Sequence, residues 1–165
     1  MPPRPKVSSV PLRAGNAVME ALPPRAASVA WNALQRSHLA LFRVSGGWLG
    51  STLGRVNVLF LHHVGARSGT HRVSPLLYVE DGPRIGIIAS KGGHPSNPAW
   101  FHNLVAHPDT EVEMRGGRRQ VHARVAEGEE RERLWAKAVA VWPDYERYQA
   151  RTGRLIPVVV LDPRG

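Results

Sequence analysis

The chain has 165 residues, 42% of them hydrophobic and 21% charged, which suits one domain with a single core and excludes global disorder. It has no cysteine, so disulfides, thiolate metal sites and a cysteine nucleophile are excluded, and a reducing cytoplasm is the expected compartment. The net charge of +9 is uneven: nine Lys/Arg against Glu20 through Arg72 leave +8, whereas thirteen Lys/Arg against twelve Asp/Glu leave +1 from residue 73 onward.

A basic first half invites an anionic partner such as a phosphate-bearing cofactor, a lipid surface or nucleic acid, or else forms a solvated arginine-rich surface. No stretch approaches the ~18–20 uncharged apolar residues of a membrane span, and the N-terminus lacks the apolar core of a secretory signal.

Residues 1–12 hold four prolines and read as a loose arm. A short helix is expected over 14–22, stopped at Pro23-Pro24, and a second from Pro24 to Gly46-Gly47. In the second, Ala27, Ala30, Trp31, Leu34, Leu41 and Phe42 share a face with His38, while Arg25, Arg36 and Arg43 project oppositely. Such a segment either docks on its own domain or lies on anionic lipid through Trp31 and Phe42, so residues 14–45 are a candidate for peripheral contact with the inner membrane surface. The boundary divides an N-terminal segment, 1–46, from a main domain, 47–165.

From Arg55 the period changes to that of strands: 56–61, 73–79 and 84–89, the last two joined by a hairpin at Glu80-Asp81-Gly82-Pro83. A short helix is expected over 98–106, then two strands around Gly116-Gly117, with Val121, Ala123 and Val125 alternating with His122 and Arg124. Glu127 to Val141 reads as the clearest helix, with Glu127, Glu129 and Glu130 in its first turn and Leu134, Trp135, Ala138, Val139 and Trp142 along one stripe. A short helix through Tyr145 and Tyr148 and a closing strand over 156–161 complete the pattern. Strands joined mostly as hairpins, with helices inserted late, predict an α+β, mainly antiparallel barrel with peripheral helices rather than a doubly wound sheet.

Three stretches could carry chemistry. In Gly65-Ala66-Arg67-Ser68-Gly69-Thr70-His71-Arg72 the glycines permit close backbone approach, while Arg67, Arg72 and the Ser68 hydroxyl suit a phosphate; a plain hairpin with surface arginines is the competing reading. It is not a Walker A loop, lacking the Gly-Lys-Ser/Thr ending. In Ser90-Lys91-Gly92-Gly93, backbone N–H groups can form a concavity beside the Lys91 charge. Asn97 is expected to cap the helix begun by Pro98, adding an anion-attracting terminus, with Trp100 and Asn103 on one helical face. In Trp142-Pro143-Asp144-Tyr145-Glu146-Arg147-Tyr148-Gln149 the rings recur every three residues, as core aromatics or as one wall of a flat pocket whose tyrosine hydroxyls can donate a proton.

His62-His63 cannot chelate one metal from adjacent strand positions, and the sequence has no His-x-x-x-His spacing, so no metal site is expected. The tyrosines lie among acids, Asp144 and Glu146, rather than among basic residues, which argues against a nucleic-acid surface.

In this order the motifs resemble the deazaflavin-dependent nitroreductase family, which also includes quinone reductases and uses coenzyme F420 on a split β-barrel. The resemblance runs from about Gly47 to Pro163. It covers G-x-x-S-G-x-x-R at Gly65–Arg72, PLLYVEDG at Pro75–Gly82, ASKGG at Ala89–Gly93, NPAWxxN at Asn97–Asn103, WPDYERYQ at Trp142–Gln149 and IPVVVL at Ile156–Leu161. It implies a split β-barrel of the FMN-binding type and hydride transfer from reduced coenzyme F420 to a quinone-like or nitro-substituted acceptor, by a monomer or homodimer. Arg67, Ser68, Gly69, Arg72, Lys91 and Gly93 would then hold the phosphate and acidic tail. Pro75, Leu76, Leu77, Ser90 and Gly92 would border the ring, with Asn97, Trp100 and Asn103 supporting that wall.

Ser90 matches a position beside the reactive ring; Tyr145 and Tyr148 match tyrosines that shape the acceptor pocket and protonate product, with Trp142 beside them. Trp142 stands where some nitroimidazole-active members carry tyrosine, and Ala66 where many carry arginine. The alternatives are an FMN-binding split-barrel oxidoreductase and a non-catalytic deazaflavin-binding protein.

Overall fold

The computed structural model describes residues 52–53 and 56–165. The expected arm and amphipathic helices of residues 14–45, with Trp31 and Phe42, lie outside the described residues. Seven strands occur: β1 (Thr52–Leu53), β2 (Val56–Val64), β3 (His71–Asp81), β4 (Arg84–Ile88), β5 (Asp109–Met114), β6 (Gly117–Val125) and β7 (Val158–Pro163). Three helices accompany them, α1 (Ala99–Ala106), α2 (Gly128–Val141) and α3 (Asp144–Ala150), with a single 3-10 turn at Lys91–Gly93.

All pairings are antiparallel, in the order β1-β2-β3-β4-β7-β6-β5, and β2 also pairs with β5 through Phe60↔Glu113, Leu61↔Val112 and His62↔Glu111. The second pairing of β2 closes six strands into a barrel, so the expectation of an antiparallel β-barrel with peripheral helices holds. Closure is what the alternating strands require, because it leaves neither β2 nor β5 with an open edge along the paired stretch.

Alternation sends one set of side chains inward. Leu59 and Leu61 from β2, Tyr78 from β3, Ile85 and Ile87 from β4, and Val159 and Leu161 from β7 form the barrel interior. Trp100 and Leu104 of α1 join that cluster, so α1 packs its apolar face onto the barrel interior. A second cluster forms outside: Leu134 and Ala138 of α2 and Tyr145 of α3 pack on Val79, Ile88, Val158 and Val160. The strand β7 therefore has apolar neighbours on both faces, which explains its unbroken Val-Val-Val-Leu run.

Close approach of α2 to the sheet depends on Gly86, where a Cβ would stand 3.1 Å from Leu134 Cδ2 and 3.1 Å from Val79 Cγ2. Ion pairs border the contact, with Glu130 of α2 receiving Arg84 at 3.1 Å and Arg124 at 2.6 Å, and Asp81 receiving Arg133 at 2.9 Å and Lys137 at 2.8 Å. These pairs are exposed enough that each contributes ~1 kcal/mol or less, so apolar packing holds α2 in place.

The observed elements differ from the predicted ones at their ends. Strand β2 continues through His62 and His63 to Val64 rather than stopping at Leu61, and β3 begins at His71 rather than Val73. The extensions consist of polar residues that read as loop but pair in register, His62↔Val73, His63↔Arg72 and Val64↔His71. The closing strand starts at Val158, two residues later than its apolar run. No helix among the described residues is long and apolar enough to cross a membrane.

Leu134 is 1% exposed at the centre of the outer cluster. Leu134→Ala should lower unfolding free energy by about 2–5 kcal/mol in urea denaturation, with the larger loss expected because Gly86 offers no side chain to fill the space. A loss under ~1 kcal/mol would show that α2 is not held by this contact.

Candidate functional site

The hairpin β3–β4 places the turn before β3 and the turn after β4 at the same end of the sheet, because its strands are antiparallel. The first is the 65–70 connection and the second is the Ser90–Gly93 turn, so both predicted anion seats share one end of the barrel. Helix α1, which follows the second turn, reaches the first: Asn103 Oδ1 accepts the Ala66 N–H at 2.9 Å.

The 65–70 connection closes on itself. Gly65 N–H donates to Thr70 O at 2.9 Å, Gly69 N–H to Gly65 O at 2.8 Å, and Thr70 N–H to Ser68 Oγ at 3.3 Å. Gly65 is required by that packing, since a Cβ there would lie 2.4 Å from Ser68 Oγ. The Ser68 oxygen is thus already an acceptor within the turn, which leaves its O–H as the group able to reach an anion. Arg67 is exposed on this turn, and Arg72 is exposed at the start of β3 beside it.

Asn103 is 7% exposed and its two amide atoms have different duties. Because Oδ1 faces the Ala66 N–H, the Nδ2 end faces His63 and donates to Nδ1 at 2.8 Å. His63 Nδ1 is then the acceptor, the ring proton sits on Nε2, and Nε2–H donates to Ser74 Oγ at 3.0 Å. The order Ser74–His63–Asn103 has the outline of a nucleophile triad, but the tautomer is the reverse of what a general base needs. It is a buried brace tying β2, β3 and α1 to the 65–70 connection. His62, on the opposite face of β2, bonds His71 at 3.2 Å and Glu113 at 3.3 Å, so the two histidines do separate work.

After β4 the chain turns sharply. Ser90 is right-handed (φ −71°, ψ −43°), and Lys91, Gly92 and Gly93 follow with φ of 46°, 63° and 81°. A right-handed residue followed by a left-handed one aims successive N–H groups to one side and makes an anion-attracting nest. Gly92 faces open space, whereas a Cβ on Gly93 would strike Tyr148 O at 2.6 Å. Gly93 is therefore glycine so that α3 can approach, while Gly92 has no such constraint. Lys91 Nζ rests on Ser96 Oγ at 3.0 Å.

One expectation fails here. Asn97 does not cap α1, whose N-cap position is Pro98 without a side-chain bond. Its Oδ1 instead accepts from Arg154 Nη1 at 2.7 Å. Arg154 also donates from Nε to His94 O at 2.9 Å and from Nη2 to Ala89 O at 3.1 Å and Ser90 O at 2.9 Å. Burial pulls its pKa below the usual guanidinium value. The sequence signal for Arg154 is slight, one more arginine between a helix and a strand.

The predicted aromatic wall is partly realised. Trp142 and Tyr148 are half-buried, and Tyr145, between them in sequence, is 6% exposed with burial pushing its phenol up. Tyr145 packs edge-on against Tyr148 at 6.2 Å and tilted against Trp135 at 6.2 Å. A shallow apolar cleft lined by Leu77, Val79, Ile88, Val141, Trp142 and Tyr145 lies between the sheet and the α2–α3 junction. Of the expected ring-bordering residues, Leu76 packs toward the barrel interior and Leu77 toward this outer cleft, as strand alternation demands.

This end of the barrel has the donor set of a polyanion site: three cations (Arg67, Arg72 and Lys91), an N–H nest and half-exposed apolar positions at Pro75–Leu77. It fits a cofactor with a flat ring and a phosphate-bearing acidic tail. A closed antiparallel barrel with this site defines a split-barrel oxidoreductase. The profile of the F420H(2)-dependent quinone reductase family matches residues 34–163, and the chain belongs to that family.

It is 39% identical over 135 residues to the F420H(2)-dependent quinone reductase Rv1261c of Mycobacterium tuberculosis (strain ATCC 25618 / H37Rv), across 79% of this chain and 91% of the relative. Among solved structures it is similar to the F420-H2 dependent reductase FDR-A, with 40% identity, TM-score 0.59, and 64% of this chain and 93% of that one covered. A structure described as a domain-swapped dimer has 34% identity and TM-score 0.62, with 82% and 99% covered.

Burial, then the nearby Arg72, His71 and His62, hold His63 at about 4, well below its ordinary 6.5. The unfolded chain therefore binds this proton between pH 6.5 and 4 while the folded chain does not, and stability falls as pH is lowered through that window. Urea unfolding should lose about 2–3 kcal/mol between pH 7 and 4.5 from this group. His63→Gln should flatten the slope in part, since His62 is lowered in the same direction. An unchanged slope would place the acid sensitivity elsewhere.

Proposed function

We propose that this F420H2-dependent oxidoreductase reduces a quinone-like acceptor, holding its coenzyme across the two basic turns at one end of the barrel. The observation that carries the reading is that the 65–70 and 90–93 turns lie toward the same end of the β3–β4 hairpin, with three exposed cations on or beside them. Arg67, Ser68, Gly69, Arg72 and Lys91 would bind the phosphate and tail. Pro75, Leu77, Ser90 and Gly92 would border the ring, with Leu76, Gly93, Asn97, Trp100 and Asn103 behind them as support. When bound, the reduced deazaflavin supplies the hydride. FMN lacks the long acidic tail that two separate basic turns accommodate, and the family match favours coenzyme F420.

The chain's own residues then orient and dry the site. Leu77, Trp142 and Tyr145 present a shallow apolar surface on which a planar acceptor would lie, and holding both reactants face to face removes much of the entropic barrier. The Tyr148 hydroxyl, or a water it holds, donates the proton that the acceptor oxygen takes up. Between the two tyrosines the geometry favours Tyr148: the Tyr145 ring is buried against Trp135 and shapes the wall on which Tyr148 rests. Trp142, where nitroimidazole-active relatives carry tyrosine, supports a quinone over a nitro-substituted acceptor.

Fluorescence titration with coenzyme F420, with FMN in parallel, tests the coenzyme. Saturable binding of the deazaflavin is expected, weakened about 10-fold or more by Arg72→Ala or Lys91→Ala as a charge-assisted bond is lost. Affinity should also fall with salt. Tight FMN binding without a deazaflavin response would overturn the assignment. Tyr148→Phe should lower kcat while leaving coenzyme affinity nearly unchanged, and equal turnover in that variant would remove Tyr148 from proton donation.

A further inference from the structure

Among the described residues, Arg84, Arg118, Arg124, Arg131, Arg133, Arg147 and Arg164 each have an Asp or Glu oxygen within 3.2 Å. Arg154 differs. The four oxygens that accept from it, on Ala89, Ser90, His94 and Asn97, are all neutral. Three are backbone carbonyls of the segment that carries the Lys91-Gly92-Gly93 nest.

Within this segment Gly93 N–H donates to Ser90 O at 3.0 Å, His94 N–H to Lys91 O at 3.2 Å and Ser96 N–H to His94 Nδ1 at 3.1 Å, and Arg154 adds four bonds from outside it. The sheet ladder ends beside it, where Ala89 N–H donates to Pro157 O at 2.9 Å, and α1 begins beyond it without a side-chain cap. Lys91, with φ of 46°, sits in the left-handed region that a residue with a side chain adopts only when its surroundings hold it there, whereas Gly92 and Gly93 adopt it at no steric cost. A guanidinium fork suits this task, because its donors have fixed directions in one plane and it can hold several carbonyls at once, which an ammonium cannot.

Arg154 is in turn held from α3. Gln149 Nε2 donates to Arg154 O at 2.8 Å, and Ile156 N–H donates to Gln149 Oε1 at 2.9 Å. The path therefore runs from the helix bearing Tyr148, through Gln149 and Arg154, to the turn bearing Lys91.

We propose that Arg154 is the positioning residue of the coenzyme's anion seat: it fixes the 89–97 segment so that the nest and Lys91 present themselves together to the phosphate or acidic tail. This inference rests on the coenzyme reading above. Its partly buried charge, neutralised by no carboxylate among its four partners, adds positive potential beneath the nest.

The test is a double-mutant cycle on the full chain, with oxidised coenzyme F420 as the probe followed by fluorescence. Arg154→Lys keeps the charge and loses the fork, and it should weaken binding by about 10-fold or more. Lys91→Ala should cost much less in the Arg154→Lys background than in the wild type, because a misplaced nest no longer presents that lysine. Hydrogen exchange without coenzyme gives an independent readout: the 89–97 amides should exchange faster in Arg154→Lys while the barrel strands keep their protection. Should Arg154→Lys fail to fold, Gln149→Leu, which removes the brace from α3, should show the same two effects in weaker form.

Wild-type binding with unchanged affinity in the variants, or strictly additive losses, would overturn the role of Arg154 and leave the coenzyme reading intact. Absence of binding by the wild type would instead sink the coenzyme reading, and with it this inference. Faster exchange spread over the whole barrel would mark Arg154 as a general stabiliser and equally overturn the positioning role.

Discussion

Closure of the sheet through β2 is the constraint on which the rest of the structure depends. With β3 on one side and β5 on the other, β2 has its hydrogen-bonding groups engaged on both flanks, and its inward residues Leu59 and Leu61 meet those of all the other barrel strands. A closed barrel of six short strands has an interior filled by side chains, so its ends must be finished by other means. Here α1 packs Trp100 and Leu104 onto the interior cluster. The 65–70 connection meets α1 there, where Asn103 Oδ1 accepts the Ala66 N–H.

Two polar devices convert that end of the barrel into a shaped site. One is the buried chain from Ala66 through Asn103 and His63 to Ser74, in which each donor meets an acceptor and one tautomer is selected. The other is Arg154, whose donors take up carbonyls that the end of β4 leaves outside the ladder. Both satisfy backbone groups that would otherwise be costly to withdraw from water.

The aromatic side of the site follows a different logic. Helix α3 lies on the outer face of the sheet, anchored by the buried Tyr145 ring among Val79, Ile88, Val158 and Val160. That anchoring brings the Tyr148 carbonyl against Gly93, and a side chain at position 93 would push the helix away. The 90–93 turn and α3 are thus in direct contact, although more than fifty residues separate Gly93 from Tyr148 in sequence.

The sequence by itself determined a good deal. Alternation and hairpin turns specified an antiparallel barrel, and the ordered motifs specified the family. Each of these is a local pattern, carried by side-chain periodicity or by backbone conformations that few residues allow. Tertiary structure alone decided the duties of residues whose partners are distant. Asn97 reads as a helix cap, yet it meets an arginine 57 positions later. His62-His63 reads as two rings on opposite faces of a strand, yet the partners of each, Asn103 and Ser74 for His63 and Glu113 and His71 for His62, come from distant elements. Tyr145 and Tyr148 read as equivalent, yet one is buried and the other sits at the wall. Hydrogen-bond partners and burial depend on which elements the closed sheet brings together, and that is set by packing across the whole barrel rather than by neighbours along the chain.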